Sequence, residues 1–467
     1  MKFSNIRFKE INSSIRFDGS YHLSEGVLYN NKIQKMNFDY LGNLASNIFT
    51  AGRTKRIYTS KEYGYPYLSN SDVSRNNPFN SCNYSSKEYG FDENSVLKEG
   101  MIVTGRVGAI GQTSYITSEF EENKAMGSDN IIRIVTKNKN ISGYVYAFLA
   151  SKYGKTFFNK LASGGVQPYI SEDMIKDIPV PLLPEAKQQQ IHQLIVEAAD
   201  LRVEANKLLT DANKYLYDLL KLQELTNDDY EYFGNHVADR EVSTYSISIK
   251  EINANTINAF NYSRKIKKIT NIIKSKSYLN LKDCLLENGY FSTGSFKRLE
   301  VNSDNGIKLL NQSDIFNSIK VGKNLSKRAV GNVKLVEYGE VLIAGVGTLG
   351  EGETFCRTIF ANEELEKQLV SGEFIRLKTN DSVPSGYLYC WLASDYGFRL
   401  IRSTQSGTKL CRPIPNLLKE IPVPVLESDQ MLKIDIEIKT AYTNLYLATT
   451  KENQAIDLIE KEIDAWQ

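Results

Sequence analysis

A chain of 467 residues exceeds one ordinary hydrophobic core, so two or three domains are expected; 41% apolar and 24% charged residues exclude a disordered or fibrous protein. A formal charge of +2 excludes neither nucleic acid nor protein as partner, because phosphate binding needs a local basic surface and not a basic total. Five scattered cysteines without a C-x-x-C pair, and only His22, His192 and His236, give no disulfide framework and no zinc site; without a signal core or a run of about eighteen apolar residues, a cytoplasmic protein with no membrane partner is expected.

In chain order, the first 183 residues read as a globular domain. Tyr65-Pro66-Tyr67-Leu68, Met101-Ile102-Val103-Thr104 and Asn130-Ile131-Ile132-Arg133-Ile134-Val135 are short β-type runs bounded by Gly, Asn, Asp or Ser. One short helix is expected over 143–158, with Val145, Phe148, Leu149, Tyr153 and Phe157 on one side. The tract Ile178-Pro179-Val180-Pro181 is extended, since proline fixes φ and keeps the preceding residue out of the α region. Over 185–222, Ile191, Leu194, Ala198, Leu201, Ala205, Leu208, Ala212, Tyr215, Leu219 and Leu222 repeat at three-four spacing. Such a seam asks for a partner helix, although an ordinary helical hairpin would also supply one.

After the polar linker 226–231 the text begins again. Lys9-Glu10-Ile11-Asn12 returns as Lys250-Glu251-Ile252-Asn253, and Asn70-Ser71-Asp72 as Gln312-Ser313-Asp314. Gly143-Tyr144, Leu149-Ala150-Ser151, Tyr153-Gly154, Ser163-Gly164 and the Ile178 tract all return 243 residues later, at Gly386, Leu392, Tyr396, Ser406 and Ile421. One offset over five landmarks is an internal duplication. The final stretch carries Met431, Ile434, Ile438, Ala441, Leu445, Ala448, Ala455, Ile459, Ile463 and Trp466, with Glu452 the one polar interruption. It is the partner that the first seam asks for. The expected division is 1–183 first globular domain, 184–225 first long helix, 226–426 second globular domain and 427–467 second long helix.

Three patterns could carry catalysis, and each has a plainer reading. Gly345-Val346-Gly347-Thr348-Leu349-Gly350 is a G-x-G-x-x-G after an apolar run, but 351–355 reads as a second strand where a dinucleotide fold needs a helix. With Gly105-Arg106-Val107-Gly108 in the same place of the first half, a glycine turn needing positive φ is the better reading. Asn76-Asn77-Pro78-Phe79 is similar to the base-gripping motif of amino-methyltransferases, yet has Asn77 where that motif has proline, and reads as a turn. None of the eleven prolines precedes an aspartate, and no P-loop lysine motif occurs. A non-catalytic chain is expected.

What recurs instead is polar and basic loops. The first half offers Arg53, Lys55, Arg56 and Tyr58, then Arg106, then Gln167 and Tyr169; the second offers Ser295, Lys297 and Arg298, then Lys409 and Arg412. Singly, each is an ordinary solvated loop. Recurring at equivalent places, they suit DNA, whose phosphates and guanine edges take Arg and Lys and whose adenine takes Asn and Gln.

The chain resembles a specificity (S) subunit of Type I restriction-modification systems. The resemblance is carried by the two Ile-Pro-Val-Pro tracts, by Pro184-Glu185-Ala186-Lys187-Gln188-Gln189-Gln190 at the start of the first long helix, and by the Ser-Gly loops at 163 and 406; Glu427-Ser428-Asp429-Gln430 departs from the pattern. It implies an α+β fold of two tandem target-recognition domains separated and joined by two long antiparallel coiled-coil helices, with pseudo-two-fold symmetry. It further implies that the chain reads a bipartite double-stranded DNA target, one half-site per domain. Two methylation (M) subunits would dock on the helices and recognition domains, at helix positions such as Gln188 and Gln193, and methylate adenine N6 with S-adenosylmethionine; two restriction (R) subunits, where the system has them, would use ATP and Mg. No cofactor or metal is expected in this chain. A helix of about 38 residues spans roughly 57 Å against about 34 Å for a turn of duplex, so the helices would act as a ruler, and deleting a heptad from both should shorten the unread spacer. A methylation-only or Type II-like specificity protein, a non-DNA coiled-coil adaptor, and a methyltransferase using Asn77-Pro78-Phe79 are the alternatives.

Overall fold

The computed structural model describes residues 6–8, 11–12, 17, 19–53, 55–108, 110–162, 167–234, 244–302 and 306–466. Lys9 and Glu10 of the first repeat, the Ser163-Gly164 loop and His236 lie outside them. The chain forms two compact units, one from Met1–Val203 with Leu447–Gln467 and one from Glu204–Tyr446. Each mixes helix and sheet, an α+β fold.

In the first unit an antiparallel sheet has the order Ala45–Thr50, Ile131–Thr136, Ile102–Gly105, Thr113–Tyr115. In the second unit the order is Leu285–Phe291, Phe374–Thr379, Val341–Ala344, Thr358–Phe360, the same arrangement. Ile131–Thr136, Ile102–Gly105 and Val341–Ala344 are buried along nearly their whole length, which is why they read as largely apolar and not as alternation. Each sheet contains one buried arginine, Arg133 or Arg376. Arg133 donates to the carbonyls of Gly127 at 2.6 Å, Ile131 at 2.9 Å and Ser95 at 3.0 Å, and burial lowers its guanidinium to about 10. Arg376 is neutralised instead by Glu340 at 2.8 Å. Both charges are inside because every unit supplies an acceptor set for them.

The helix expected over 143–158 is two helices, Ser142–Ala150 and Lys152–Leu161; the second unit has Ser385–Ala393 and Asp395–Arg402. Ser151 and Ser394 break them with extended backbone, and each hydroxyl accepts the N–H three residues on, from Gly154 at 3.3 Å and Gly397 at 3.1 Å. A Cβ at Gly154 would strike the Leu149 carbonyl, and one at Gly397 the Trp391 carbonyl. The repeated Leu-Ala-Ser and Tyr-Gly text is therefore a tight helix corner written twice. The proline tracts are strands: Pro179–Pro181 pairs with Phe38–Tyr40, and Pro422–Pro424 with Tyr278–Asn280.

The long helices are Glu185–Leu220 and Ser428–Ala465. Within the first unit they run antiparallel, with Lys187 paired to Glu462, Glu197 to Lys451 at 2.7 Å, and Arg202 to Glu452. Within the second unit Lys433 lies 4.1 Å from the Tyr215 ring. The second seam is buried from Met431 through Ile463, including Glu452, whereas Trp466 lies past the helix end and is exposed. The first seam needs correction. Ile191, Ala198, Ala205 and Ala212 are buried, but Ile195, Leu216 and Leu220 take the central places and Leu194, Leu201, Leu208, Tyr215 and Leu219 are half-buried. The helix is divided between the two units, and in each its part packs into the core of the globular body as well as against the other helix, so its apolar stripe is broader than a two-stranded seam. It stops two residues early because Lys221 turns left-handed, at φ 49°.

Helix ends knit each unit together. The first N–H groups of Ser142–Ala150 would be unpaired, and Gly143 N donates to His192 Nδ1 at 3.0 Å; in the second unit Gly386 N donates to Asp435 Oδ1 at 2.8 Å. His192 and Asp435 stand 243 residues apart, at matching positions of the two long helices.

Candidate nucleic-acid interface

In the first unit the loop after Ile102–Gly105 is fixed by its backbone. Arg106 N donates to Asn130 O at 2.9 Å, Ile170 N donates to Arg106 O at 3.0 Å, and Val107 bridges Tyr169. Arg106 and Tyr169, 63 positions apart, are thereby brought to one edge, with exposed Gln167 two residues away. Thr50, at the end of its strand, donates to Glu172 Oε1 at 2.5 Å. Burial works to raise the Glu172 carboxyl, but the Thr50 hydroxyl, its own backbone N–H and the charge of Arg106 outweigh it and hold the group below the usual carboxylate range. Glu172 so ties three loops that are distant in sequence.

The basic loop sits beside that edge. Asp129 takes Arg56 at 2.8 Å and Arg53 at 3.3 Å, and the Arg56 guanidinium lies 5.7 Å from the Tyr67 ring, itself 6.1 Å from Tyr58. Arg53, Arg56 and Tyr58 are thus one cluster. Exposed Lys55 has no ion-pair partner among the described residues. The turn 128–130 joins both groups, since Asp129 holds the arginines and Asn130 holds the Arg106 backbone.

The second unit repeats the frame with other side chains. Gly345 N donates to Glu373 O at 3.1 Å, and Gly347 exchanges backbone hydrogen bonds with Cys411 at 3.2 and 2.7 Å. Lys409 and Arg412 are exposed on the hairpin of Gln405–Ser406 and Arg412–Pro413. Ser295 and Arg298 line a groove of about 420 Å³ with Ser292, Gly294, Phe296, Gly372 and Glu373; Lys297 is exposed but outside that lining. Buried Gln312 donates to Glu373 Oε2 at 3.0 Å and accepts Val346 N at 3.3 Å, so its amide orientation is fixed.

Several readings change here. Positive φ occurs at Gly108 (81°) and Gly111 (78°) of the first unit but not at Gly345, Gly347 or Gly350, where close approach takes over: a Cβ on Gly345 would lie 2.6 Å from Glu373 O, and one on Gly347 2.9 Å from Phe355 Cβ. The strand expected at 351–355 lies at Thr358–Phe360, because the chain first turns through left-handed Cys356 (φ 67°). Asn77 Oδ1 accepts Phe79 N at 3.1 Å, and Phe79 packs 5.3 Å from Phe120, so Asn77-Pro78-Phe79 is a turn whose ring is spent on the core. Gln188 is half-buried, its amide capping Leu183 O at 2.7 Å, and so is not the exposed position expected; Gln193 is exposed and donates to Glu197 at 3.2 Å.

Asp129, Glu172, Gln312 and Glu373 escaped the sequence reading. Acidic residues gave no signal in a search for basic loops, and only the repeated Asn70/Gln312 text pointed near one of them. Among the described residues no His, Cys, Asp and Glu cluster could hold a metal, and no helix is long and apolar enough to cross a membrane.

Residues 46–210 match the family model of the Type I restriction modification DNA specificity domain. Among solved structures the chain is similar to a Type I restriction-modification S subunit from M. genitalium (15% identity, 92% of this chain and 93% of that one, TM-score 0.32). It is also similar to an HsdS subunit from Thermoanaerobacter tengcongensis (12% identity, 92% and 97%, TM-score 0.26). A third likeness is to a chain from a study of complex assembly and conformational transition of the type I R-M system (13% identity, 92% and 95%, TM-score 0.25). No curated protein matches the sequence.

Proposed function

We propose that the chain is the DNA sequence-specificity subunit of a Type I restriction-modification system and reads a bipartite target, one half-site per unit; the match of residues 46–210 to the DNA specificity domain of that family supports this reading. It performs recognition and no reaction. The observation that carries the two-half reading is one loop frame built twice: the Asn130 carbonyl holds Arg106 N, and the Glu373 carbonyl holds Gly345 N, each at the start of a strand in matching sheets. Equal frames with unequal side chains are what two different half-sites require. Arg53, Lys55, Arg56 and Arg106 serve one half-site, and Arg298, Lys409 and Arg412 the other, through phosphates and base edges.

Methylation would then belong to two M subunits carrying S-adenosylmethionine, docked on exposed helix positions such as Gln193. ATP and Mg would belong to R subunits where they are present, and the assembly would act in the cytoplasm. The test is co-expression with the candidate M subunit in a methylation-free host, followed by single-molecule sequencing for N6-methyladenine. A gapped motif is expected, with one half changing when the loops of the first unit are exchanged and the other when those of the second are. A continuous motif, or a complex that forms and carries cofactor yet methylates nothing, would sink the reading and favour a protein adaptor.

A further inference from the structure

Asn130 and Glu373 occupy one position of the repeated frame. Each immediately precedes the central strand of its sheet, Ile131–Thr136 or Phe374–Thr379, and each gives its carbonyl to the first N–H of the loop after the neighbouring strand. Both side chains are exposed. Their chemistry differs: an amide both donates and accepts, whereas a carboxylate only accepts. Resting on the DNA-reading function above, we infer that this position is a base-reading position in each half-site, Asn130 selecting adenine and Glu373 selecting cytosine.

Electrostatics and geometry carry the argument. An exposed carboxylate on a DNA-facing groove is repelled by phosphates, so it is unfavourable there unless it meets a donor. Glu373 has no ion-pair partner among the described residues, although Arg298 lines the same groove. It is also aimed. Val346 N fixes the Gln312 amide with its oxygen toward the backbone, which turns Nε2 onto Glu373 Oε2 and leaves Oε1 to the groove. Cytosine N4 and adenine N6 are the donors on major-groove base edges; adenine adds the N7 acceptor next to its amine, which a carboxylate disfavours, so cytosine fits. Guanine and thymine present acceptors and are rejected. Asn130 stands beside Asp129, which already neutralises Arg53 and Arg56, and its amide matches adenine N6 and N7 together.

The test uses the full chain with its M subunits and the methylated motif as readout. Glu373→Asn should change one base of one half-site, from cytosine toward adenine, with a preference change of about tenfold to a hundredfold. Asn130→Glu should change one base of the other half-site in the opposite sense. Glu373→Gln, of the same shape, should relax the same single position and guards against an effect of shape alone. Identical motifs from all three variants, or changes falling in the same half-site, overturn the inference while leaving the proposed function standing. A wild-type complex that yields no gapped motif overturns the function itself.

Discussion

Asp129 neutralises two arginines with one carboxylate, and both arginines are largely open to solvent. Exposed ion pairs contribute at most about 1 kcal/mol, so the pairing positions Arg53 and Arg56 more than it stabilises the unit. Asp129→Asn is therefore expected to shift unfolding by no more than about 1 kcal/mol, while tightening low-salt binding to duplex through two freed cations. Denaturant titration and fluorescence anisotropy check the two halves; weaker binding at low salt would refute the gain from two freed cations. His192 gives a pH prediction at the same scale. Burial lowers its pKa, and its Nδ1 can accept Gly143 N only when neutral. Below the unfolded value of about 6.5 the unfolded chain binds a proton that the folded one resists, so this contribution is present above that pH and is lost as pH falls through it. His192→Asp, which copies Asp435, should flatten the acid limb of the stability curve; an unchanged limb would place the titration elsewhere.

At the level of elements, the repeat exposes a difference between the two helix pairings. Arg202 and Glu452 form an ion pair in the first unit, with Tyr146 donating to Glu452, and the positions 243 residues away are Leu445 and Leu209, both in the apolar cluster of the second unit. A buried pair adds little net stability but strongly opposes any pairing that would strand one of its charges. Arg202→Leu should destabilise the fold by about 3–5 kcal/mol, and adding Glu452→Leu should recover most of it by recreating the apolar pair of the other unit. Urea unfolding of the single and double variants decides this; additive losses would deny the coupling. The polar interruption at Glu452 was plain in the sequence, whereas its partner was not, because Arg202 sits at the edge of a stripe where arginine ordinarily reaches water.

For the whole molecule, the proposed DNA binding through phosphates predicts a steep loss of affinity with salt. Replacing Arg53, Lys55 and Arg56 by Ala should flatten the slope by about 0.9 for each phosphate no longer neutralised, and an unchanged slope would remove this loop from the interface. The duplication, the two long helices and the proline strands were legible because period and offset survive in a one-dimensional text. Ser151 and Ser394 carried the helix corner openly, yet its apolar face ran on without a break and hid it. The acidic residues of the candidate interface were out of reach for a further reason. Glu172 meets Thr50 and Arg106, and Glu373 meets Gln312, only after strands far apart in sequence are laid side by side. Sequence alone determined that this protein is a scaffold written twice, since burial patterns are local and repeat with the chain. Which polar side chains converge on one face was decided by tertiary structure, because hydrogen bonding and charge pairing depend on distances in space that residue spacing does not encode.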